Sequence, residues 1–128
     1  MQHTINLTYQ AGASTYSVQD TIESDGEVNY DSVPDIPDAT TNKEVDVAFA
    51  LAKLKAIYLY ASQDVTVKTN STGSPDDTIS LVAEKPLVWY TGGSFANPFT
   101  ADVTKLYITN ASGSDATVRL RALVDVTP

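Results

Sequence analysis

TVRLRALVDVT, residues 117–127, decides the fold. Val118, Leu120, Ala122, Val124 and Val126 fall on every second position, while Thr117, Arg119, Arg121, Asp125 and Thr127 take the alternate ones. A hydrophobic period of two is what a strand shows when one face is buried and the other is wet. Outward from this segment the pattern returns. DVTVKTN (64–70) sets Val65, Val67 and Thr69 against Thr66 and Lys68, and DTISLVA (77–83) sets Ile79, Leu81 and Ala83 against Ser80 and Val82. TYSVQDTIES and EVNYD flank Asp25-Gly26, a dipeptide suited to a two-residue hairpin turn.

EVDVAFALAKLKAIYLYA (44–61) is less uniform. Val45, Val47, Phe49 and Leu51 alternate, IYLYA is β-rich, and LAKLK between them is too short for a stable helix. The expectation is strand, turn, strand. Loops are expected at 32–42, 71–77 and 91–98, each with Pro, Gly or both among Ser, Asp and Asn. An internal echo links FALAKLKAIYLYASQDVTVK, from Phe49, with FTADVTKLYITNASGSDATVR, from Phe99. Each has Phe, Lys six residues on, an apolar-Tyr strand, Ala-Ser, and a Thr-Val-basic strand; the expectation is two equivalent hairpins. Roughly eight to ten strands at this spacing point to an all-β chain. The architecture expected first is an antiparallel β-sandwich wound as a jelly roll of about eight strands, with an immunoglobulin-like sandwich as the alternative.

The 128 residues suit a single domain, 1–128, with 1–42 including an extended acidic N-terminal arm or loop. Cysteine is absent, which excludes disulfides, thiolate metal sites and cysteine nucleophiles. No apolar run is long enough for a membrane helix, and MQHTINLTYQ lacks the form of a signal peptide, so a cytoplasmic protein is expected. Net charge is -8, with ten acids against three lysines in residues 1–64 and six acids against five bases in the rest. The run from Asp20 to Asp38 contains no base. Such a balance repels phosphate backbones and argues against nucleic acid as a partner. The acidic run reads as a solvated surface or as an arm for a basic partner.

Catalytic chemistry is poorly supplied. His3 is the only histidine and sits near the terminus, with no nucleophile elbow in the chain. The acid pairs Asp76-Asp77, Asp25-Glu27 and Asp35-Asp38 lie in turn-forming sequence rather than in apolar surroundings that would separate two carboxylate pKa values. TIESDGEVNYDS fails as a calcium loop, with Thr21 at the first position and Ser32 at the twelfth. A looser calcium site among Asp20, Glu23 and Asp25 stays open. Asn6, Asn70 and Asn110 begin glycosylation sequons, which carry no meaning without secretion. The expectation is no enzyme, no cofactor and no resident metal.

The aromatics remain. Tyr58 and Tyr60 share one face of their strand opposite Ile57 and Leu59, so one pair meets solvent or a partner. In EKPLVWYTGGSFANPF (84–99), Leu87 and Trp89 alternate with Val88 and Tyr90, and Pro86 confines the strand to an edge or to its first residue. Trp89 is read as a plug of the core, with Phe95 and Phe99 pinning the loop. Against this stand an aromatic patch for a neighbouring subunit and, with Asn97, a carbohydrate platform.

VDVAFALAKLKAIYLYASQDVTVKTN, PLVW and NPFTADVTKLYITNAS, within residues 43–128, resemble the cement or decoration proteins of tailed-bacteriophage heads. The resemblance implies a β-sandwich, often a jelly roll, that forms dimers or trimers and bridges neighbouring major capsid subunits. It implies the outer surface of the virion, after assembly in the host cytoplasm, and no catalytic residues. Partner contacts are then expected at Trp89, Tyr90, Phe95, Asn97 and Phe99, at Tyr58 and Tyr60, and at Asp35 and Asp38 in the 30–42 loop. The alternative function is a carbohydrate- or host-surface-binding module of a tail fibre or bacterial surface protein.

Overall fold

The alternating segments do become strands. The computed structural model describes residues 1–127. Among the described residues ten strands form: β1 (Gln2–Ala11), β2 (Ser14–Glu23), β3 (Gly26–Asp31), β4 (Thr40–Val45), β5 (Leu54–Ala61), β6 (Val65–Thr69), β7 (Thr78–Leu81), β8 (Leu87–Tyr90), β9 (Leu106–Asn110) and β10 (Val118–Val124). LAKLK supplies only a single 3₁₀ turn, Leu51–Lys53. Eight strands make two four-stranded sheets, ordered β3-β10-β5-β8 and β4-β9-β6-β7, with every pair antiparallel. These orders are the two interleaved Greek keys of a jelly roll. The remaining pair, β1-β2, is a separate hairpin arm.

The core lies between the sheets. Ile57, Leu59, Leu120 and Ala122 descend from one, and Val67, Ile79, Leu106 and Ile108 rise from the other. β8 is an edge strand and begins at Leu87, immediately after Pro86, so no ladder amide is lost to the proline.

The internal echo has a different structural meaning from two hairpins. β5 does not pair with β6, nor β9 with β10. Each unit crosses from one sheet to the other, and the units pair with one another: β5 with β10, β6 with β9. Leu59 faces Leu120, and Val67 faces Ile108. The echoing phenylalanines meet at the bottom of the sandwich, with Phe49 and Phe99 ring centroids 5.3 Å apart and edge-on. The repeat therefore supplies the two central strands of both sheets. Its physical reason is that the middle of a jelly roll places similar demands on both crossings.

Asp25-Gly26 is likewise not a hairpin turn. β2 pairs with β1 and β3 with β10, so the dipeptide is the corner where the arm enters the sandwich. Asp25 holds that corner, its carboxylate accepting from the Val126 N–H at 2.8 Å and the Thr127 hydroxyl at 2.6 Å. The tight turn of the arm is Gly12-Ala13, between the facing residues Ala11 and Ser14. Gly12 has φ of 61°, and glycine accepts that left-handed conformation without steric cost.

The acidic run is a solvated surface, as in one of the two readings expected, and its first two acids, Asp20 and Glu23, belong to the arm. All seven acids from Asp20 to Asp38 accept a hydrogen bond, among them Asp31 from Arg119 and Arg121, Asp35 from Thr117, and Asp38 from Gly113. The arm itself carries no charged residue between His3 and Asp20.

Asn110 closes the β9–β10 connection from inside. It is fully buried, its amide donates to the Ile36 and Ser114 carbonyls at 3.0 and 2.8 Å, and its Oδ1 accepts from Ser112. That burial keeps the Asn110 sequon out of reach in the folded chain. Asn110→Ala strands these groups and is expected to lower unfolding free energy by about 3 kcal/mol in urea titrations; a loss under about 0.5 kcal/mol would contradict this role.

Candidate functional site

The candidate site begins with the outer face of the β3-β10-β5-β8 sheet. Strand register arranges its outward side chains in rows. One row runs Glu27, Leu123, Ala56, Tyr90; the next runs Asn29, Arg121, Tyr58, Val88; the third places Asp31 beside Arg119 and Tyr60. An ordinary wet face would be polar throughout, yet Ala56, Tyr90 and Leu123 are buried. The base of the arm covers them. Ile5 and Ile22 pack onto this row, with Val88 alongside.

Polar bonds fix the arm at both ends of the row. His3 Nε2 lies 2.6 Å from Glu27 Oε1 on the β3 side. On the β8 side the Tyr90 hydroxyl donates to Asp20 Oδ2 at 2.8 Å. The N-terminal ammonium adds a bond to the Ser24 carbonyl at 2.7 Å. The hydrogen bond from His3 holds the Glu27 carboxyl below its usual range, and the bond to Asp20 pushes the Tyr90 phenol up. Arg121, and after it Arg119, hold Asp31 low by hydrogen bonds in the third row.

Beyond its base the arm has no support. The residues on its sheet-facing side continue as Leu7 opposite Val18 and Tyr9 opposite Tyr16. All four are exposed, Tyr9 at 72% and Tyr16 at 62%. The other side is polar throughout, from Gln2 and Glu23 to Gln10 and Thr15. A lone two-stranded hairpin is marginal in water, so an arm of this length presents an apolar face that lacks a cover.

A groove of about 580 Å³ runs between the arm and the sheet. Six consecutive residues of β1, Gln2–Leu7, form one wall, and Tyr58, Pro86, Val88 and Arg121 lie along the other. Because strand side chains alternate, a groove touching every successive residue follows the strand's edge. A broader polar hollow of about 660 Å³ lies by the chain ends, around Lys55, Asp25 and Asp125. Both acids there are already bonded to Thr127. Among the described residues no group of three or more His, Asp or Glu is placed to hold a metal ion, so Asp20, Glu23 and Asp25 do not converge.

The residues singled out from sequence divide between several places. Tyr58 and Tyr60 face outward and stack, centroids 6.4 Å apart and rings 7° from parallel. Trp89 is half-buried against the main core. Tyr90 sits beneath the arm, and Phe95, exposed, meets its ring edge-on at 6.4 Å. The loop backbone also passes close to the Tyr90 ring at Gly93, where a Cβ would stand 2.7 Å from it. Phe99 is a core residue, and Asn97 accepts from the Phe99 N–H at 3.0 Å, which fixes the loop. Asp35 and Asp38 brace the β9–β10 connection, away from the aromatics. Leu7, Tyr9, Tyr16 and Val18 are the residues that sequence reading missed. Their signal was alternation on either side of Gly12.

No family model matches the chain, and no curated protein or solved structure is significantly similar to it.

The lowered carboxylates set an acid limit. Glu27 and Asp31 have folded pKa values below their ordinary 4.5 and 3.8, so their contribution is complete above those values and is lost as pH falls through the folded ones. Thermal midpoints are expected to stay level from pH 7 to about 5 and to fall below about 4. Glu27→Gln should weaken that fall; an unchanged acid limb would contradict the assignment. Tyr90→Phe should speed amide exchange at Ile5 and Ile22 several-fold while the β5 and β10 amides keep their protection.

Proposed function

We propose that this chain is a structural protein of a tailed-bacteriophage virion, a cement or decoration protein that binds the outside of the capsid and bridges neighbouring major capsid subunits. The observation that carries the reading is the arm: a hairpin uncharged from Thr4 to Gln19, with a bare apolar face, projecting from a jelly roll. The jelly roll agrees with what the sequence resemblance implies. The polar side chains near the arm are engaged in holding it, which suits a module that works by contact rather than by chemistry.

A cement acts through area and repetition. An ordinary specific interface buries about 800 Å² on each partner, and a clamp repeated over a closed lattice adds its modest energy many times. The arm's exposed face and the stacked Tyr58 and Tyr60 supply apolar contact surface of the kind such interfaces use at their centres. The carbohydrate reading is less well supported, because Trp89 packs its ring on the core instead of offering it for stacking.

Purified protein mixed with empty shells of major capsid protein should cosediment with them and appear as regular surface density in electron micrographs. Tyr9→Ser combined with Tyr16→Ser should abolish that decoration with the sandwich still folded. Shells that stay bare at saturating protein would overturn the proposal.

A further inference from the structure

We infer that two copies of this chain associate through their arms, β1 edge to β1 edge and antiparallel, each arm lying in the groove of the other copy. This inference specifies the homo-oligomer that the resemblance implies and stands without the capsid reading. The face it covers is the one proposed above for the shell, so the two contacts are alternatives: another copy in solution, the shell on the capsid. Four observations carry it, and the first is the free edge. The two-residue loop makes Ala11 and Ser14 a hydrogen-bonded pair, and pairs alternate from there. The odd residues of β1 therefore bond to β2, as Met1 does in accepting from the Ser24 N–H. Thr4, Asn6 and Thr8 direct their backbone groups away from the hairpin, along the edge that opens into the groove. That edge lacks the charges, prolines and bulges with which exposed strands are usually guarded.

Geometry supplies the second observation. An antiparallel pairing centred on Asn6 sets the partner copy's Leu7 and Tyr9 beside this copy's Ile5 and His3, on the same face. The distal apolar residues of each arm then descend on the Tyr58 and Val88 wall of the other. One contact covers both unmet surfaces, and its twofold symmetry closes it at two copies.

The third observation is charge. At a net charge of -8, two copies repel unless they meet on neutral surface, and the stretch from Thr4 to Gln19, most of the arm, carries no charge. Area is the fourth. Covering Leu7, Tyr9, Tyr16 and Val18 in both copies, with the half-buried tyrosines beneath them, removes on the order of 1,000 Å² from water, about the least that a specific interface buries. Edge hydrogen bonds add to it, as in strand addition generally.

Sedimentation of the full chain tests the inference, together with one engineered thiol in this cysteine-free protein. The chain should sediment as a dimer. Asn6→Cys should join two copies by a disulfide on treatment with oxidised glutathione, because paired edge residues in such a ladder have Cα atoms about 5.5 Å apart. Gln19→Cys, directly across the hairpin on the opposite edge, should remain mostly uncrosslinked. Thr8→Pro removes an outward amide together with the hydroxyl bond to Ser17, which Ser17→Pro removes as well; Thr8→Pro should yield monomers with the unfolding transition of the sandwich retained, whereas Ser17→Pro should stay dimeric. A monomer or trimer in sedimentation, or equal crosslinking at positions 6 and 19, would overturn the inference. A monomer that still decorates capsid shells overturns it and leaves the cement reading standing; a dimer that ignores shells does the reverse.

Discussion

The antiparallel ladder between β5 and β10 is the interaction on which the rest of this molecule depends. Its inner face supplies Ile57, Leu59, Leu120 and Ala122 to the core, and its outer face offers Ala56 and Leu123 as the seat of the arm. A single strand pair thus makes the sandwich and aims the arm. Loss of its register by one residue would exchange the two faces and leave both without a hydrophobic complement. The last strand is therefore an informative place to begin reading the chain.

Much of the sandwich is legible because period two survives wherever a strand has one wet face. Val118, Leu120 and Ala122 read correctly, as do Val65 and Val67. Leu123 is where that reading stops. By alternation it belongs to the wet face with Arg119 and Arg121, yet it is fully buried. No local pattern announces this, because the cover comes from Ile5 and Ile22, about a hundred residues away in sequence. Asp25-Gly26 misleads for a related reason: it has hairpin chemistry, but the partners of β2 and β3 are chosen elsewhere in the fold. The echo of Phe49 and Phe99 is real in sequence, and pairing topology alone separates two hairpins from two crossings.

The acidic run shows how composition differs from placement. Asp20, Glu27 and Asp31 lie on the charged surface that the sequence suggests, and each is also held by a specific donor and helps to orient the arm or the face beneath it. Such bonds are individually modest at exposed positions. Their contribution is direction: they keep an otherwise loose hairpin at one angle to the sandwich. The apolar base provides the adhesion, and the polar clasps select the pose. What projects beyond is uncharged, apolar on one side and open along one edge, which is the form of a contact element.

The central claim is that this arm is an interaction element whose β1 edge is occupied when the protein is assembled. Residue-resolved amide exchange on the unmodified chain tests it most directly. Asn6 and Thr8 point their amides out of the hairpin on one edge, as Ser17 and Gln19 do on the other. The account predicts slow exchange at Asn6 and Thr8 and fast exchange at Ser17 and Gln19. Equally fast exchange at all four would contradict it.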